Sequence, residues 1–533
     1  MAEKNAHATN VTEFPDNGSE QMARGGAWVA RASDPLAAFY NPAGLAGQAT
    51  KITLQVNLNF GHTCFTRQQS AFDTTQEPLA DANGVFPKVC SDVAPFPNPQ
   101  IAMTYKITDR IGAAFAVLGP SGVGTSTWPR FVNDGAGTPQ PSPNRYLLTD
   151  SNTLVLTPTL ALGAEVIDGL RVGASFQWGI AKAKLATGAP AINQDNANPR
   201  GNDVQSTIIA SDYFVPGFTL GAIYSPTDFL DVAGWYKWSD SIKARGDAYT
   251  QANYYQPQVA AGNISGVKDG DTSLPDCNFG GGNNTCGNGN NTYLHLAIPM
   301  EAKLGVRFHK PRHSMKKIDP DTGKTVRQHS RDPLADDVFD VELDGTWANN
   351  KSMDAIQIRF PGDANQNGTI PVNGTGGSLP PIADVPVNFK DVYGLRLGGD
   401  YNIIPDRLAI RGGTFYETKA QDSQYQNLAF AGGAKFGLAI GGTYRIRLDH
   451  VRKNAVEVSL GFEHVFVGQQ SNDNAYAPGV SSIAGTACNP GGNSQDGYTC
   501  KDGRLKYRTN APINLGTITN AINVLNVGVS YKF

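Results

Sequence analysis

The stretch AVEVSLGFE at residues 455–463 alternates between apolar and polar side chains. Because successive side chains of a β-strand point to opposite faces, this pattern predicts a strand with one apolar and one polar face. The apolar face carries Val456, Val458, Leu460 and Phe462, and the polar face carries Glu457, Ser459, Gly461 and Glu463. A soluble sandwich would turn the polar face to water, whereas an outer-membrane barrel would turn the apolar face to lipid and the charges to the lumen.

Strands are predicted along the whole chain. Most of them are long enough to cross a bilayer when tilted, which takes ~9–11 residues, whereas the strands of soluble sheets usually have about 5–6. The predicted strands, fourteen in number, are 51–60, 99–107, 110–118, 152–166, 169–182, 211–225, 229–244, 292–309, 337–348, 388–403, 407–418, 433–447, 455–467 and 522–533.

The connections between these strands favour a barrel. Short turns, such as 107–110 and 167–169, alternate with long connections rich in Gly, Asn and Pro. Short periplasmic turns at one end and long extracellular loops at the other are typical of a bacterial barrel. The long basic segment 309–336 stands where a short turn is expected, and the pattern does not explain it. The last strand alternates up to Phe533, and its pairing with the first strand would close the sheet.

The composition excludes several classes of protein. The 533 residues carry a net charge of -3 and have a pI near 6.3, so no nucleic-acid partner is expected. No run of 18 apolar residues is present, which excludes a transmembrane helix, and residues 1–10 lack the apolar region of a secretory signal. We therefore expect either a cytoplasmic protein or a mature form whose signal peptide was removed or is not included in this sequence.

The cysteines form pairs that are close in sequence and lie in the long polar connections. The three pairs are Cys64 with Cys90, Cys277 with Cys286, and Cys488 with Cys500. None of them has the short spacing of a zinc site. The arrangement favours three local disulfides in an oxidising compartment, and the alternative is six unrelated free thiols.

Motifs of enzymes and metal sites are weak or absent. The sequence contains neither HExxH nor GxSxG, so we predict neither an enzyme nor a cofactor. Asp363, Asn365 and Asn367 match the first half of a calcium loop, but the twelfth position is Gly374 instead of Glu. A polar turn is therefore the favoured interpretation of residues 361–374, with calcium binding as the alternative.

The segment MARGGAWVARASDPLAAFYNPAGLA at residues 22–46 resembles the N-terminal hatch of the FadL/TodX family, outer-membrane transporters of long-chain fatty acids and other hydrophobic compounds. The family's Asn-Pro-Ala motif is matched by Asn41, Pro42 and Ala43. Further similarity lies in 217–228, 397–401 and 408–413, and in the C-terminal Phe533. The resemblance implies an all-β fold, a 14-stranded antiparallel transmembrane β-barrel of residues 51–533, with residues 1–50 as a hatch inside the lumen.

The resemblance also implies an opening in the wall. The family's third strand is kinked so that an apolar ligand can leave sideways into the membrane, and the matching stretch here is 113–125. Pro120 cannot donate a ladder hydrogen bond, and Gly119, Gly122 and Gly124 weaken regular pairing. The alternative is that the third strand ends at Gly119 and a loop begins.

Four cations on the predicted lumen face could bind the carboxylate of a fatty acid, namely Lys303, Arg307, Arg396 and Arg411. The favoured alternative is that they pair with acidic neighbours such as Glu301, Asp400 and Glu417 and hold the hatch in place.

Together these features predict passive uptake of hydrophobic small molecules, long-chain fatty acids or aromatic hydrocarbons, through a bacterial outer-membrane barrel with hatch-gated lateral release. The expected partners are this ligand, outer-membrane lipid and lipopolysaccharide, and the barrel-assembly machinery, which would bind the C-terminal strand. A monomer is expected. The alternatives are a general porin for polar solutes, an outer-membrane enzyme of the lipase type, and an adhesin that acts through the long loops.

Overall fold

A computed structural model of the chain describes the backbone of most residues. The described residues are 17–69, 79–92, 95–119, 125–189, 203–251, 254–255, 292–313, 316–318, 325–327, 332–353, 355–359, 370–371, 378–379, 385–430, 432–448, 454–473, 484–487, 498–501, 504–507 and 514–533. The predictions for Pro120, Gly122, Gly124, Cys277, Cys286, Cys488, Asp363, Asn365 and Asn367 lie outside them, and only the backbone is described at Cys500.

Long strands dominate the structure. They are β1 Lys51–Arg67, β2 Phe96–Lys106, β3 Ile111–Leu118, β4 Asp150–Ile167, β5 Leu170–Ala189, β6 Val204–Tyr224, β7 Leu230–Ser239 with Ile242–Gln251, β8 Thr292–Leu296 with Glu301–Pro311, β9 Asp337–Ala348 with Ala355–Arg359, β10 Val392–Ile404, β11 Leu408–Glu417, β12 Lys435–Arg447, β13 Ala455–Asn472 and β14 Gly516–Lys532.

Shorter elements lie in the connections. The short strands are Val89–Cys90, Thr125–Thr127, Phe131–Asn133, Pro139–Pro141, Lys316–Ile318, Thr325–Arg327, Ile370–Pro371, Ser378–Leu379, Val385–Pro386, Ala484–Ala487, Tyr498–Lys501 and Arg504–Tyr507. The α-helices are α1 Ser19–Ala23 and α2 Pro333–Asp336, and the 3₁₀ turns are Pro35–Ala38, Pro42–Leu45, Asn350–Ser352 and Ser423–Tyr425. Within the described ranges, no helix is long and apolar enough to cross a membrane.

The fourteen long strands form one closed antiparallel barrel. Each strand pairs with its neighbours in sequence, and β1 pairs with β14 from Lys51 opposite Lys532 to Arg67 opposite Gly516. This pairing removes the two free edges that an open sheet would expose. The predicted strand count and the predicted closure by the last strand are both confirmed.

The wall is apolar on the outside and polar on the inside. In β13, Val458, Leu460 and Phe462 are 42%, 53% and 44% exposed, whereas Glu457 and Glu463 are buried. Exposed apolar and buried charged side chains are the reverse of a soluble sandwich and suit a wall that contacts lipid. The two faces predicted from residues 455–463 are therefore oriented as in an outer-membrane barrel, with the apolar face outside and the charged face toward the lumen.

Several strands extend further toward the long-loop end than the sequence predicts. β6 begins at Val204 instead of 211, and β14 begins at Gly516 instead of 522. In the upper part of β6, the buried residues Ile208 and Ala210 belong to an apolar cluster on the inner face. The apolar side chains of β6 thus point outward in its lower part and inward in its upper part. Because the alternation shifts at this change, one continuous pattern does not cover the whole strand.

Residues 332–336 end the segment between β8 and β9, which the sequence pattern left unexplained, and they contact the short-turn end of the barrel. Asn402 Nδ2 donates to the Pro333 carbonyl at 2.7 Å, and Asp406 N donates to the Leu334 carbonyl at 3.0 Å. Asp332 accepts hydrogen bonds from Arg445 in β12 and from Lys532 in β14. Helix α2 and the residue before it therefore connect the start of β9 to strands further around the rim.

Candidate functional site in the barrel lumen

The N-terminal segment, residues 17–50, is built from short turns with matched caps. Asp34 accepts a hydrogen bond from Leu36 N at 2.8 Å, and Asn41 accepts one from Ala43 N at 3.2 Å. In each case a proline follows the cap, where its missing N–H costs nothing and its fixed φ favours the turn. The Asn-Pro-Ala motif is thus the capped start of the 3₁₀ turn Pro42–Leu45.

Glycines of the wall make room for this turn. A Cβ atom at Gly173 in β5 would collide with the backbone of Pro42 and Ala43, and one at Gly221 in β6 would collide with the Asn41 side chain. Asn41 Nδ2 also donates to the Val29 carbonyl at 2.8 Å. The turn therefore lies directly against the inner wall, and a larger wall residue would displace it.

Two arginines of the segment bind wall carboxylates. Arg24 Nη1 donates to Asp340 at 2.6 Å and to Asp400 at 2.5 Å, while Arg31 Nη2 donates to Asp400 at 3.0 Å. Arg31 also pairs with Asp340, and its Nε donates to Glu20 at 2.5 Å. The two arginines and the two aspartates are buried, and removal of one partner from such a buried pair typically costs about 3–5 kcal/mol because it leaves an unpaired charge.

Strand β9, which carries Asp340, also binds the backbone of the segment. Asp344 in β9 accepts hydrogen bonds from Trp28 N and Val29 N at 2.9 and 3.2 Å, and Glu342 accepts one from Ala30 N at 2.6 Å. These bonds satisfy N–H groups that the irregular segment cannot pair internally. The polar face of 339–347 is evident in the sequence, but its partners in the N-terminal segment are not.

Of the four cations predicted to face the lumen, the three arginines lie in ion pairs. Arg307 Nη2 donates to Asp337 at 2.5 Å and to Asp340 at 3.1 Å. Arg396 Nη2 donates to Glu417 at 2.7 Å, and Arg411 Nε donates to Asp400 at 3.1 Å. A ligand carboxylate would have to compete with these partners, and its binding here stays a prediction.

Lys303 has a different environment. Its Nζ lies 5.3 Å from the centre of the Trp235 ring and 5.8 Å from that of Tyr40, and Lys237 Nζ lies 4.4 Å from that of Phe39. Such distances are typical of cation–π contacts. Phe39 and Tyr40, which precede the Asn-Pro-Ala motif, thus pack against cationic and aromatic side chains of the wall.

Only a small gap separates the segment from the wall beside Lys303. Its volume is about 10 Å³, and its lining comprises Gln21, Gly26, Trp28, Val29, Tyr40, Trp235 and Lys303. This is room for about one water molecule. The segment and the wall are therefore tightly packed here, with no space for a ligand between them.

Asn17 connects the segment to the end of β3. Its Nδ2 donates to the Gly119 carbonyl at 2.8 Å, and its Oδ1 accepts from Asn98 Nδ2 at 2.9 Å and from Gln100 Nε2 at 3.1 Å. Asn17 N also donates to the Tyr40 hydroxyl at 2.7 Å. Gly119, the one predicted opening residue that the structure describes, is therefore bound directly to the N-terminal segment.

Beyond Gly119 the chain is next described at Thr125–Thr127. Ile111–Leu118 pairs with residues 157–164 of β4, and Thr125–Thr127 pairs with residues 150–152. Apart from Gly119, the predicted opening lies outside the described residues and stays a prediction.

Above the segment, toward the long loops, the inner face of the barrel is apolar. A cluster of buried side chains surrounds this part of the lumen, contributed by strands β4 to β10, by their connections and by the connection between β11 and β12: Val155, Ala181, Ile208, Ala210, Val215, Ile242, Ala244, Ala248, Leu294, Ala297, Met353, Ile356, Ile358, Val387, Phe389, Val392 and Ala420. The lumen therefore has an apolar upper part and a charged lower part.

Charge and burial perturb one acid of the segment. Burial raises the pKa of Asp34 to about 6, and the negative charge of Glu20 adds to this effect, while Lys51 opposes it. Gln21 Nε2 donates to the Asp34 carboxylate at 3.1 Å. Asp34 is thus a buried carboxyl group whose pKa is raised well above that of an exposed aspartate.

At the long-loop end, the first predicted cysteine pair, Cys64 and Cys90, forms a disulfide. It joins β1 to the short strand Val89–Cys90, whose residues pair with it in an antiparallel ladder. A disulfide in this position restrains the first long connection of the barrel.

Comparison with known proteins agrees with this geometry. The sequence profile of outer membrane protein transport proteins (OMPP1/FadL/TodX) matches residues 3–316. No curated protein sequence matches the chain.

Solved structures share the fold. A FadL homologue of Pseudomonas aeruginosa is 15% identical with a TM-score of 0.63, covering 98% of this chain and 100% of its own. The toluene transporter TbuX of Ralstonia pickettii is 13% identical with a TM-score of 0.53, covering 97% and 98% respectively. The toluene transporter TodX of Pseudomonas putida is 13% identical with a TM-score of 0.53, covering 98% of each chain. With its lumen architecture and its profile match, this chain belongs to the OMPP1/FadL/TodX family of outer membrane transport proteins.

Proposed function

We propose that this protein carries hydrophobic small molecules, long-chain fatty acids or aromatic hydrocarbons, passively across the outer membrane, and that residues 1–50 act as a hatch that gates their lateral release. The observation that supports this most directly is the contact of Asn17 with Gly119, because it connects the N-terminal segment to the end of β3.

The division of the lumen gives the direction of transport. An apolar ligand gains free energy on entering the apolar upper cluster, since apolar surface leaves water. Below that cluster it meets the buried ion pairs of Arg24 and Arg31, which offer no apolar surface and are costly to break. Sideways passage at the end of β3 avoids this region. Partition into the bilayer supplies the driving force, so neither a nucleotide nor a coupling ion is needed.

A general porin is less well supported, because residues 17–50 occupy the lumen that polar solutes would need. Their buried contacts come from several wall strands at once, through Asp344 in β9, Asp400 in β10 and Gly221 in β6. For an enzyme of the lipase type, no observation favours a nucleophile and base at this site.

The experiment is uptake by liposomes that contain the purified full-length protein. Labelled oleate and labelled toluene are the hydrophobic probes, and sucrose is the polar probe. The proposal predicts that at least one hydrophobic probe is taken up faster by liposomes that contain the protein than by protein-free liposomes. Sucrose should enter both kinds of liposome at the same rate. Equal acceleration of sucrose would support a general porin, and no acceleration of either hydrophobic probe would refute the proposed transport.

The two hydrophobic probes also separate the two ligand classes. If a fatty acid carboxylate binds the lumen cations, the variant Lys303→Met slows oleate uptake and leaves toluene uptake unchanged. Lys303 is chosen because its Nζ lies where the N-terminal segment meets the wall, 5.8 Å from the centre of the Tyr40 ring and 5.3 Å from that of Trp235.

A further inference from the structure

Five strands carry a row of polar side chains on the outer face of the wall near the long-loop end. Ser211 in β6 lies opposite Lys182 in β5 on one side and opposite Arg245 in β7 on the other. The row continues from Arg245 to Tyr293 in β8 and from Tyr293 to Arg359 in β9. Because paired residues of neighbouring strands share a face, these side chains form one row across the same face of the sheet.

The row faces away from the lumen. Its members alternate with buried residues of the apolar lumen cluster, namely Ala181, Ala210, Ala244, Leu294 and Ile358. Lys182 and Arg245 are exposed, whereas Tyr293 and Arg359 are half-buried. We refer to Lys182, Ser211, Arg245, Tyr293 and Arg359 as the outer row.

Aromatic side chains lie directly below the outer row. A bulge in β6 between Asp212 and Val215 turns both Tyr213 and Phe214 outward, where they are 63% and 53% exposed. Trp178 Nε1 donates to the Tyr213 carbonyl at 2.7 Å, and its ring meets that of Phe214 edge-on at 4.9 Å. Aromatic side chains at this level are typical of the boundary between the hydrocarbon and headgroup regions of a membrane.

Below this aromatic group the wall is apolar, with Leu220 and Phe176 exposed on the same two strands. The distance from Trp178 to Lys182 is four residues along β5, or about 13 Å of strand. Lys182 therefore lies above the aromatic group, at the height of the lipid headgroups of the outer leaflet.

Two cations of the outer row are available for a ligand. Within the part of the chain that the structure describes, neither Lys182 nor Arg245 has a carboxylate partner. Lys182 Nζ lies 5.8 Å from the centre of the Tyr213 ring. The two residues flank Ser211 at a separation of two strand spacings, about 10 Å.

The neighbouring carboxylates are partly engaged. Asp212 accepts hydrogen bonds from Phe214 N and Lys243 N at 3.0 and 2.7 Å, and so satisfies the backbone of the bulge. Asp240 pairs with Lys243 Nζ at 3.0 Å. Asp247 is half-buried and lies two residues beyond Arg245. Lys243, which lies beside the bulge, thus pairs with Asp240, whereas Lys182 and Arg245 have no carboxylate partner among the described residues.

We propose that Lys182 and Arg245, together with Trp178 and Tyr213, bind a phosphorylated glycolipid of the outer leaflet, the lipid A portion of lipopolysaccharide. Its phosphates accept charge-assisted hydrogen bonds from the two cations, its sugars lie on the exposed aromatic side chains, and its acyl chains cover the apolar wall below. A free phosphate would use only the first of these contacts, which is why the lipid is the occupant.

The test is binding of lipid A to the purified full-length protein in detergent, with EDTA present to remove bridging divalent cations. The probes are bisphosphorylated lipid A, the same lipid A without phosphates, and inorganic phosphate. The variant Lys182→Gln with Arg245→Gln should weaken binding of the bisphosphorylated lipid at least tenfold. The dephosphorylated lipid should bind the unaltered protein at least tenfold more weakly, and inorganic phosphate should not compete at millimolar concentration.

The matched control is Lys106→Gln with Arg110→Gln, which removes the same charge from exposed positions at the short-turn end. This control should bind lipid A as the unaltered protein does, and all variants should keep the heat-dependent gel migration of a folded barrel. Equal affinity of the outer-row variant and the unaltered protein, equal loss in the control, or full competition by inorganic phosphate would overturn the proposal.

Discussion

The carboxylate of Asp332 accepts two hydrogen bonds from the Arg445 guanidinium, at 2.7 and 2.9 Å, and so ties the segment between β8 and β9 to strand β12. Lys532 Nζ donates to the same carboxylate at 2.5 Å. Burial raises the pKa of Asp332, but the positive charges of Arg445 and Lys532 outweigh this effect and hold the pKa well below its usual range.

Asp332→Asn should therefore destabilise the short-turn end of the barrel. Loss of charge-assisted hydrogen bonds of this kind costs about 2 kcal/mol or more. We expect faster cleavage of segment 309–336 by a protease added to that side, measured on the folded barrel. The control Asp422→Asn removes an exposed carboxylate that pairs with Lys390 at the opposite end, and its cleavage rate should not change.

The pH dependence of this contact has a definite sign. A carboxyl group whose pKa is lowered on folding stabilises the fold above its ordinary pKa, and that stabilisation is lost as the pH falls below about 4. Protease resistance of the unaltered segment should therefore be constant from pH 8 to pH 5. A gradual loss of resistance across that range would contradict the assignment to Asp332.

Gly173→Ala should displace the turn Pro42–Leu45, because the added Cβ atom would collide with the backbone of Pro42 and Ala43. Backbone atoms cannot move aside as a flexible side chain can, so the turn itself must shift. Hydrogen exchange of amides in residues 41–48 should accelerate at least tenfold. Gly345→Ala in β9 is the control, because a Cβ atom there has no neighbour within 4 Å, and exchange at 41–48 should stay unchanged. Similar exchange in both variants would refute the close fit.

Asn17→Asp removes the donor to the Gly119 carbonyl but keeps the oxygens that accept from Asn98 and Gln100. If Asn17 restrains the end of β3, this variant should raise the initial rate of hydrophobic uptake several-fold. Thr157→Val is the matched change on the wall, since the Thr157 hydroxyl donates to the Leu118 carbonyl at the end of β3, at 2.8 Å, and not to the segment. Uptake that rises equally in both variants, or an unchanged rate in Asn17→Asp, would contradict the coupling of the segment to β3.

In the variant Asp34→Asn, the N-terminal segment should be held more firmly against the barrel wall at neutral pH. Burial raises the pKa of Asp34 to about 6, so the native state holds its proton more tightly than the unfolded chain does. Docking of the segment is then strongest at low pH and weakens as the pH rises from about 4 to 6, by up to about 3 kcal/mol. Asparagine keeps a cap for Leu36 N without a charge. Amide hydrogen exchange has an intrinsic pH dependence, which is subtracted first. In the unaltered protein, exchange in residues 34–46 should then still change with pH, whereas in Asp34→Asn it should not.

Much of the barrel is predictable from the sequence, because the membrane imposes a simple rule on every strand. Residues 455–463 show it directly, with apolar Val458 and Leu460 outside and Glu457 and Glu463 inside. The rule fails above the hydrocarbon part of the membrane, where Ile208 in β6 faces an apolar lumen and Ser211 faces outward. There the pattern no longer reports a lipid-facing wall, and the predicted strand begins too late.

The lumen contacts are less predictable. The Asn-Pro-Ala motif predicts a capped turn, but nothing near Arg24 in the sequence indicates its partners. Asp340 and Asp400 are 316 and 376 residues away along the chain. Such pairs depend on the closure of the barrel and on the path of the N-terminal segment within it, which are tertiary features. The outer row is likewise evident only from the register of five strands.

The central claim is that the N-terminal segment must move for a hydrophobic ligand to pass. A disulfide between Ala23→Cys and Gly461→Cys tests it, because a Cβ atom at position 461 would lie 3.4 Å from the Cβ atom of Ala23, close to the spacing in disulfides. The controls are the two single substitutions Ala23→Cys and Gly461→Cys and the unaltered protein with its six native cysteines, all treated in the same way, and folding is checked by heat-dependent gel migration. We predict that the oxidised double variant in liposomes loses uptake of labelled oleate and toluene and regains it on mild reduction. Unchanged uptake in the fully cross-linked protein would contradict the account.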